Sequence, residues 1–401
     1  MKCSNPCKIF GAYQALGGIE DSVVIFHSVV GCHFANMSFH LTRDMEDLRQ
    51  TCTVINDRDI ILNGENSLRL AIENVISLYR PRLIIVITGC VTEIIKDDVD
   101  RIVEEFRKRV DVIYIDGAGF KSDFEKGYED ALVKLVKTFS IKKEKSKKPL
   151  INIFGMLYDD YKRKQDILAL NEVLGDKVDI GFISASANLE SIKRIAYADV
   201  NIAFGRGIEA CRFLKDKYNQ SYLQMDYPYG IEGIKGFLGV IADTFNIDYS
   251  ETIKNLEENS KEAFNKIYSY LNSLYGLPVC VVGSYSRARG MKRFLEMELG
   301  MEVVSFGIRE KSLNMEEFIA NVSSSDTALV FGSSFDGDIA DRLKVPLIPF
   351  DYPVYDRVSI SNTPYIGEKG AVNLTEDILN SIMMGVKNRG AFYNEEDMYI
   401  W

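Results

Sequence analysis

Arg82-Leu-Ile-Ile-Val-Ile-Thr88 runs directly into Gly89-Cys90-Val-Thr-Glu93. The first of these stretches is a nearly unbroken apolar run, the mark of a strand buried on both faces in a helix-covered parallel sheet. Helical periodicity follows. Across 92–110, Ile95, Val99, Ile102, Val103, Phe106 and Val110 share one face, and Asp97 and Asp98 fall early, where the helix dipole favours carboxylates. A strand, a tight turn carrying a thiol and then a helix make a βα unit, so this stretch decides for an α/β fold.

The same alternation extends in both directions. Before the run, 21–27 reads as a strand; after it comes a short strand at 111–115. A lysine-rich stretch, Ile141-Lys-Lys-Glu-Lys-Ser-Lys-Lys-Pro149, breaks the pattern and reads as a solvated linker. Strands are then expected at 150–154, 178–184, 199–204 and 222–226. A helix-rich segment over 249–275 leads to Gly276-Leu-Pro278, and further strands at 279–283, 302–307, 327–331 and 345–350. The expectation is three Rossmann-like, doubly wound parallel-sheet domains at 1–148, 149–276 and 277–401.

Composition bounds the function. The 401 residues are 46% hydrophobic and 26% charged, ordinary for a globular chain with several cores. With 48 basic against 58 acidic residues the net charge is −10, which argues against nucleic-acid binding. No run approaches the roughly 20 apolar residues of a spanning helix, and the start lacks the apolar core of a secretory signal. A cytoplasmic protein is expected. Cysteines number seven, an odd count that argues against a disulfide framework; five of them, Cys3, Cys7, Cys32, Cys52 and Cys90, fall in the first 90 residues. All three histidines (His27, His33, His40) lie there as well.

Several patterns are decoys or negatives. Gly205-Arg-Gly207-Ile-Glu-Ala210 follows a strand, opens a helix and has Asp226 about 20 residues on, as a dinucleotide fingerprint requires. It lies in the middle domain instead of opening a Rossmann half, which weakens the nucleotide reading. There is no P-loop and no Gly-x-Ser-x-Gly elbow. Cys211 and Cys280 sit in apolar surroundings and read as buried, inert thiols.

Cys7, Cys32 and Cys90 share one setting. Cys7 precedes a helical stretch, Cys32 follows the first strand in His27-Ser-Val-Val-Gly31-Cys32, and Cys90 stands between strand and helix. Parallel strands deliver their carboxyl ends to one sheet edge, so Cys32 and Cys90 should converge there. A helix N-terminus stabilises a thiolate, the form that ligates iron–sulfur clusters. Singly, a cysteine at a turn is more often structural than ligating. Three such turns in the first 90 residues reverse that balance. Spacing leaves iron–sulfur and zinc both open, although zinc's Cys-x₂-Cys pairs are absent. Cys3 or His33 could supplement a site.

These segments in this order resemble the component 1 subunits of nitrogenase and nitrogenase-like reductases. The motifs run Pro6-Cys7…Gly11-Ala12, His27…Gly31-Cys32, Asp59…Asn63-Gly64, Pro81…Gly89-Cys90 and Ile95-Lys-Asp-Asp98. Later come Gly332-Ser-Ser, Val345-Pro346 and Tyr352-Pro-Val-Tyr-Asp-Arg357…Gly370-Ala371, typical of the β-type subunit. The resemblance implies three Rossmann-like domains and an iron–sulfur cluster shared with a homologous α-type subunit, or with a second copy of the chain. Cys7, Cys32 and Cys90 are the implied ligands, holding a 4Fe-4S or an eight-iron cluster. It also implies a separate ATP-dependent iron protein as electron donor. Three ligands per chain leave such a cluster incomplete, and so call for the partner.

Departures qualify the transfer. The family's His-Gly, Gly-Gly and Gly-Asp-Asp are His27-Ser28, Asn63-Gly64 and Lys96-Asp97-Asp98 here, and Gly119 stands where β subunits have a cluster-touching serine. No counterpart of the N-terminal extension of nitrogenase β subunits is expected. No histidine follows His40, and 182–188 lacks cysteine, so the large substrate-reducing cofactor of α-type subunits has no ligands in this chain. The expectation is an electron-transferring β-type subunit of a nitrogenase-like reductase, acting on dinitrogen, a tetrapyrrole, a sulfur compound or another small molecule. A non-catalytic scaffold for metallocofactor assembly is the alternative, with a nucleotide-dependent oxidoreductase behind it.

Overall fold

The computed structural model describes residues 6–39, 49–141, 148–311 and 315–388; Cys3, His40 and the lysine run at 142–147 lie outside them. Among the described residues three four-stranded sheets form, all of them parallel. The first holds β1 (Ser22–His27), β2 (Gln50–Cys52), β3 (Leu83–Thr88) and β4 (Asp111–Asp116), in the order β2-β1-β3-β4. The second holds β5 (Leu150–Phe154), β6 (Asp179–Phe182), β7 (Val200–Ala203) and β8 (Ser221–Gln224), ordered β6-β5-β7-β8. The third holds β9 (Pro278–Gly283), β10 (Glu302–Ile308), β11 (Leu329–Gly332) and β12 (Leu347–Pro349), ordered β10-β9-β11-β12.

One winding pattern is thus used three times, and the expected α/β class is what the chain adopts. In each sheet the chain leaves the first strand to one side and returns to the other, which puts a topological switch point between the two central strands. Every residue of β1 and β3 is buried. Ile84 and Val86 pack with Val23, Leu68, Ile72, Ile102 and Phe106 in one core, each full Val or Ile burial being worth about 1.5–3 kcal/mol. The chain parts into two compact units, one of residues 1–159 with 178–224 and carrying the first two sheets, the other of 160–177 with 225–401 and carrying the third. Among the described residues no helix is long and apolar enough to cross a membrane.

Two local readings differ from expectation. The single helix expected over 92–110 is two, Cys90–Ile95 and Val99–Phe106. Lys96 takes the left-handed conformation (φ 61°) and ends the first, and Asp98 caps the second by accepting from the Arg101 N–H. The apolar residues after the break, Val99, Ile102, Val103 and Phe106, pack into the core of the first sheet, with Val110 against it. Strand β2 is the other difference: Gln50-Thr51-Cys52 is too short and too polar to announce itself, and pairing with β1 makes it a strand.

Candidate functional site

The carboxyl edge of the first sheet is where chemistry collects. His27 ends β1 beside Thr88 at the end of β3. Cys32 lies in the first turn of the helix Val30–Ser38, and Cys90 opens the helix Cys90–Ile95. The two turns are stitched together, since the Gly89 N–H and the Thr92 hydroxyl both donate to the His27 carbonyl, at 3.0 and 2.8 Å. The sequence expectation that these cysteines share one edge is met at the switch point itself.

Cys7 reaches the same place from another direction. It caps the helix Lys8–Leu16 and bridges to Asp123, just ahead of the helix Phe124–Phe139. Those helices pack with their backbones nearly touching, for a Cβ on Gly11 would fall 1.9 Å from the Phe124 carbonyl oxygen. Glycine at 11 is therefore a requirement of the close approach that delivers Cys7.

Gly119, in the turn after β4, stands between two of the thiols. A Cβ there would lie 3.2 Å from Cys7 Sγ and 3.8 Å from Cys90 Sγ. The Gly119 N–H donates to Cys90 Sγ at 3.2 Å. All three thiols are partly buried. Burial, then the charges of Cys7, Cys90 and Cys52, push the Cys32 thiol up to about 11. Burial also raises Cys7, with Cys90 adding to the rise and the Ile9 N–H opposing it. A bound cation would oppose these rises and favour the thiolates. Among the described residues no three His, Cys, Asp or Glu side chains form a group for a single metal ion.

Supporting groups surround the thiols. His27 is buried, its Nε2 3.0 Å from Asp97 Oδ2 and its Nδ1 3.1 Å from the Thr53 hydroxyl. Asp97 Oδ1 accepts from the Gly64 N–H at 2.9 Å. Glu93, one helical turn after Cys90, accepts from Thr88 Oγ1 (2.5 Å), Tyr114 OH (2.6 Å) and Lys121 Nζ (2.5 Å), while Lys121 also pairs with Asp116 at 2.7 Å. Sequence reasoning missed this network. The Cys90-x-x-Glu93 spacing was visible, but Lys121 meets Glu93 only through the turn after β4. Asn63 and Lys96 both adopt positive φ, at 96° and 61°.

Two helix starts elsewhere are filled by the protein's own carboxylates. Glu129 accepts from the N–H groups of Gly207 (2.6 Å), Ile208 (3.1 Å) and Glu209 (3.0 Å), so the phosphate seat of the dinucleotide-like turn is already taken. Arg206 in that turn forms a bidentate pair with Glu125, and Asp226 pairs with Arg289 at 3.3 Å. In the third sheet, Asp351 and Glu310 accept from the Ser284 and Tyr285 N–H groups.

The remaining cysteines divide. Cys52 ends β2, donates to the Ser28 carbonyl (3.4 Å) and accepts from the Val54 N–H (3.3 Å). Cys211 and Cys280 are fully buried, and burial raises both thiols. His33 packs its ring against Phe26, 5.4 Å between centroids. A cavity of about 900 Å³ lies in the second unit, lined by Tyr161, Lys344, Arg357, Tyr365 and Asp377, with no cysteine in it.

Comparison with known proteins agrees with this architecture. The family model described as "Nitrogenase component 1 type Oxidoreductase" matches residues 7–383. The chain is 27% identical over 439 residues to a nitrogenase molybdenum-iron protein beta chain of Methanococcus maripaludis, covering 94% of this chain and 93% of that one. It is 21% identical over 407 residues to one of the subunits of the light-independent protochlorophyllide reductase of Heliobacterium modesticaldum, covering 94% and 78% respectively. A solved structure described as nitrogenase Cp1 at pH 6.5 superposes with a TM-score of 0.82 at 17% identity, across 100% of this chain and 96% of that one. The chain belongs to the nitrogenase component 1 type oxidoreductase family.

Proposed function

We propose that the chain is a β-type electron-transfer subunit of a nitrogenase-like reductase, with Cys7, Cys32 and Cys90 holding part of an iron–sulfur cluster shared with a homologous subunit or a second copy. The observation that carries this reading is the placing of Cys32 and Cys90 at helix starts on the switch-point edge of the first sheet, with Cys7 and Cys90 on either side of the side-chain-free Gly119. The donors fit a cluster. They are soft thiols, and two of them, Cys7 and Cys90, border the space that a Cβ on Gly119 would fill.

When bound, the cluster would supply one-electron transfer. The chain's part is to present three thiolates, direct the Gly119 N–H at one of them and keep water from the site. Keeping water out calls for a partner, because apolar side chains beside the thiols are bare: Phe34 is 71% exposed on the Cys32 helix, Ile94 65% on the Cys90 helix, and Phe120, next to Gly119, 58%. With no P-loop in the sequence, ATP-driven electron delivery falls to a separate iron protein. The electron relay is the element of function compatible with both kinds of relative, whose names give different substrates.

The test is anaerobic purification with iron and sulfide analysis. The expected result is a brown protein with about four irons per chain or per chain pair, lost in Cys32→Ala and Cys90→Ala but kept in Cys280→Ala. Iron-free wild-type protein from cells competent in cluster assembly would sink the reading.

A further inference from the structure

Behind Cys90 lies a charged network that the cluster reading leaves without a role. Lys121 Nζ donates to Glu93 Oε2 at 2.5 Å and to Asp116 Oδ2 at 2.7 Å. Glu93 is on the helix that Cys90 opens; Asp116 ends β4; and the turn 117–121 joins Asp116 to Lys121. The lysine therefore closes that turn onto the helix like a clasp. Asp116 Oδ1 accepts the Ala118 N–H at 3.0 Å, and the Lys121 N–H donates to the Ala118 carbonyl at 3.0 Å. The next N–H along, that of Gly119, is the one aimed at Cys90 Sγ at 3.2 Å.

Glu93 is otherwise saturated. Its Oε1 takes hydroxyls from Thr88 (2.5 Å) and Tyr114 (2.6 Å), and its side chain is only 12% exposed. Such a carboxylate is a fixed anchor, held to β3 and β4 by both hydroxyls. Asp116 is braced from the other side by Lys8 at 3.8 Å, the residue after Cys7. Lys121 is the bridging cation, and at 38% exposed it is the part of the network that can be changed without opening the core.

We propose that Lys121 is a positioning residue that holds the Gly119 N–H on Cys90 Sγ and thereby raises the reduction potential of a cluster ligated there. Hydrogen bonds to ligand sulfur and nearby positive charge both favour the reduced, more negative cluster. Losing Lys121 removes the charge, frees the turn and leaves Glu93 and Asp116 less compensated. All three effects lower the midpoint.

This proposal rests on the cluster reading, and the experiment keeps the two apart. Wild type, Lys121→Met and Lys121→Arg are purified anaerobically, assayed for iron per chain, and titrated with dithionite and mediators under electron paramagnetic resonance detection. Each reducing step passes one electron from dithionite to the cluster. The expected result is wild-type iron content in all three, a midpoint in Lys121→Met lowered enough to cut the reduced-to-oxidised ratio about tenfold (about 59 mV for one electron), and recovery in Lys121→Arg. Should Lys121→Met lose its iron, Lys121→Gln, which keeps a donor without the charge, takes its place. An unchanged midpoint in an iron-loaded Met or Gln variant overturns the proposal alone. So does loss of iron from every Lys121 variant, which would make the residue one of assembly. Wild-type protein without iron overturns this proposal together with the reading beneath it.

Discussion

His27 Nε2 lies 3.0 Å from Asp97 Oδ2, and both side chains are fully shielded from solvent. The pair joins the end of β1 to the break between the helices Cys90–Ile95 and Val99–Phe106. Through the Gly64 N–H it also holds the start of the helix Glu65–Tyr79. It lies behind the Cys32 and Cys90 turns and bonds neither sulfur, which makes it scaffold for the site.

Removing Asp97 should accordingly cost stability first. Asp97→Ala strips His27 and the Gly64 N–H of a buried partner at once, and a loss of about 3 kcal/mol is expected in urea unfolding of the iron-free protein. Asp97→Asn, close in shape, should lose less. A loss below about 1 kcal/mol for the alanine variant would show that the pair contributes little beyond its desolvation cost.

Gly119 should tolerate little. Gly119→Val would place its side chain against Cys7 and Cys90, so iron per chain is expected to fall several-fold while far-ultraviolet circular dichroism stays that of the wild type. Full iron loading in Gly119→Val would show that the space between the thiols is not where the cluster sits.

Lys96 sits in the left-handed region at φ 61° in a position where the family has glycine. A non-glycine side chain there costs roughly 1 kcal/mol. Lys96→Gly should raise stability by about 0.5–1 kcal/mol, less whatever the unfolded chain gains in freedom. A decrease would show that the lysine side chain contributes more than its backbone costs.

Burial pushes Glu298 up to about 7, against the pull of the Ile231 and Glu232 N–H groups it caps. A raised carboxyl means that the folded chain holds its proton more tightly than the unfolded chain does. The stability it contributes is thus full below its ordinary value of 4.5 and is lost as pH rises through about 7. Thermal unfolding midpoints should show this fall between pH 4.5 and 7 and a flatter profile for Glu298→Gln. Equal slopes in the two proteins would remove Glu298 as the cause.

Much of this molecule is legible along the chain. The apolar run at 83–87 is fully buried in β3, because only a strand covered on both faces can hide that many consecutive apolar side chains. The thiols at 32 and 90 were also legible as neighbours, since each follows a parallel strand and parallel strands end on one edge. The three-residue strand β2 and the break at Lys96 were not. One depends on pairing with β1, and the other on a lysine adopting a conformation that its identity does not announce.

Taken by itself, then, the order of residues settled the α/β class and the repeated βα rhythm, because burial period and strand direction are local properties, and it singled out Cys7, Cys32 and Cys90 as candidates. Tertiary structure alone decided what surrounds them. The Glu129 carboxylate that fills the dinucleotide-like turn comes from 78 residues away in sequence, and the Glu93–Lys121 clasp spans 28. Contacts of that range leave no periodic trace in the chain, and they arise only when the sheets bring separate segments to a common edge.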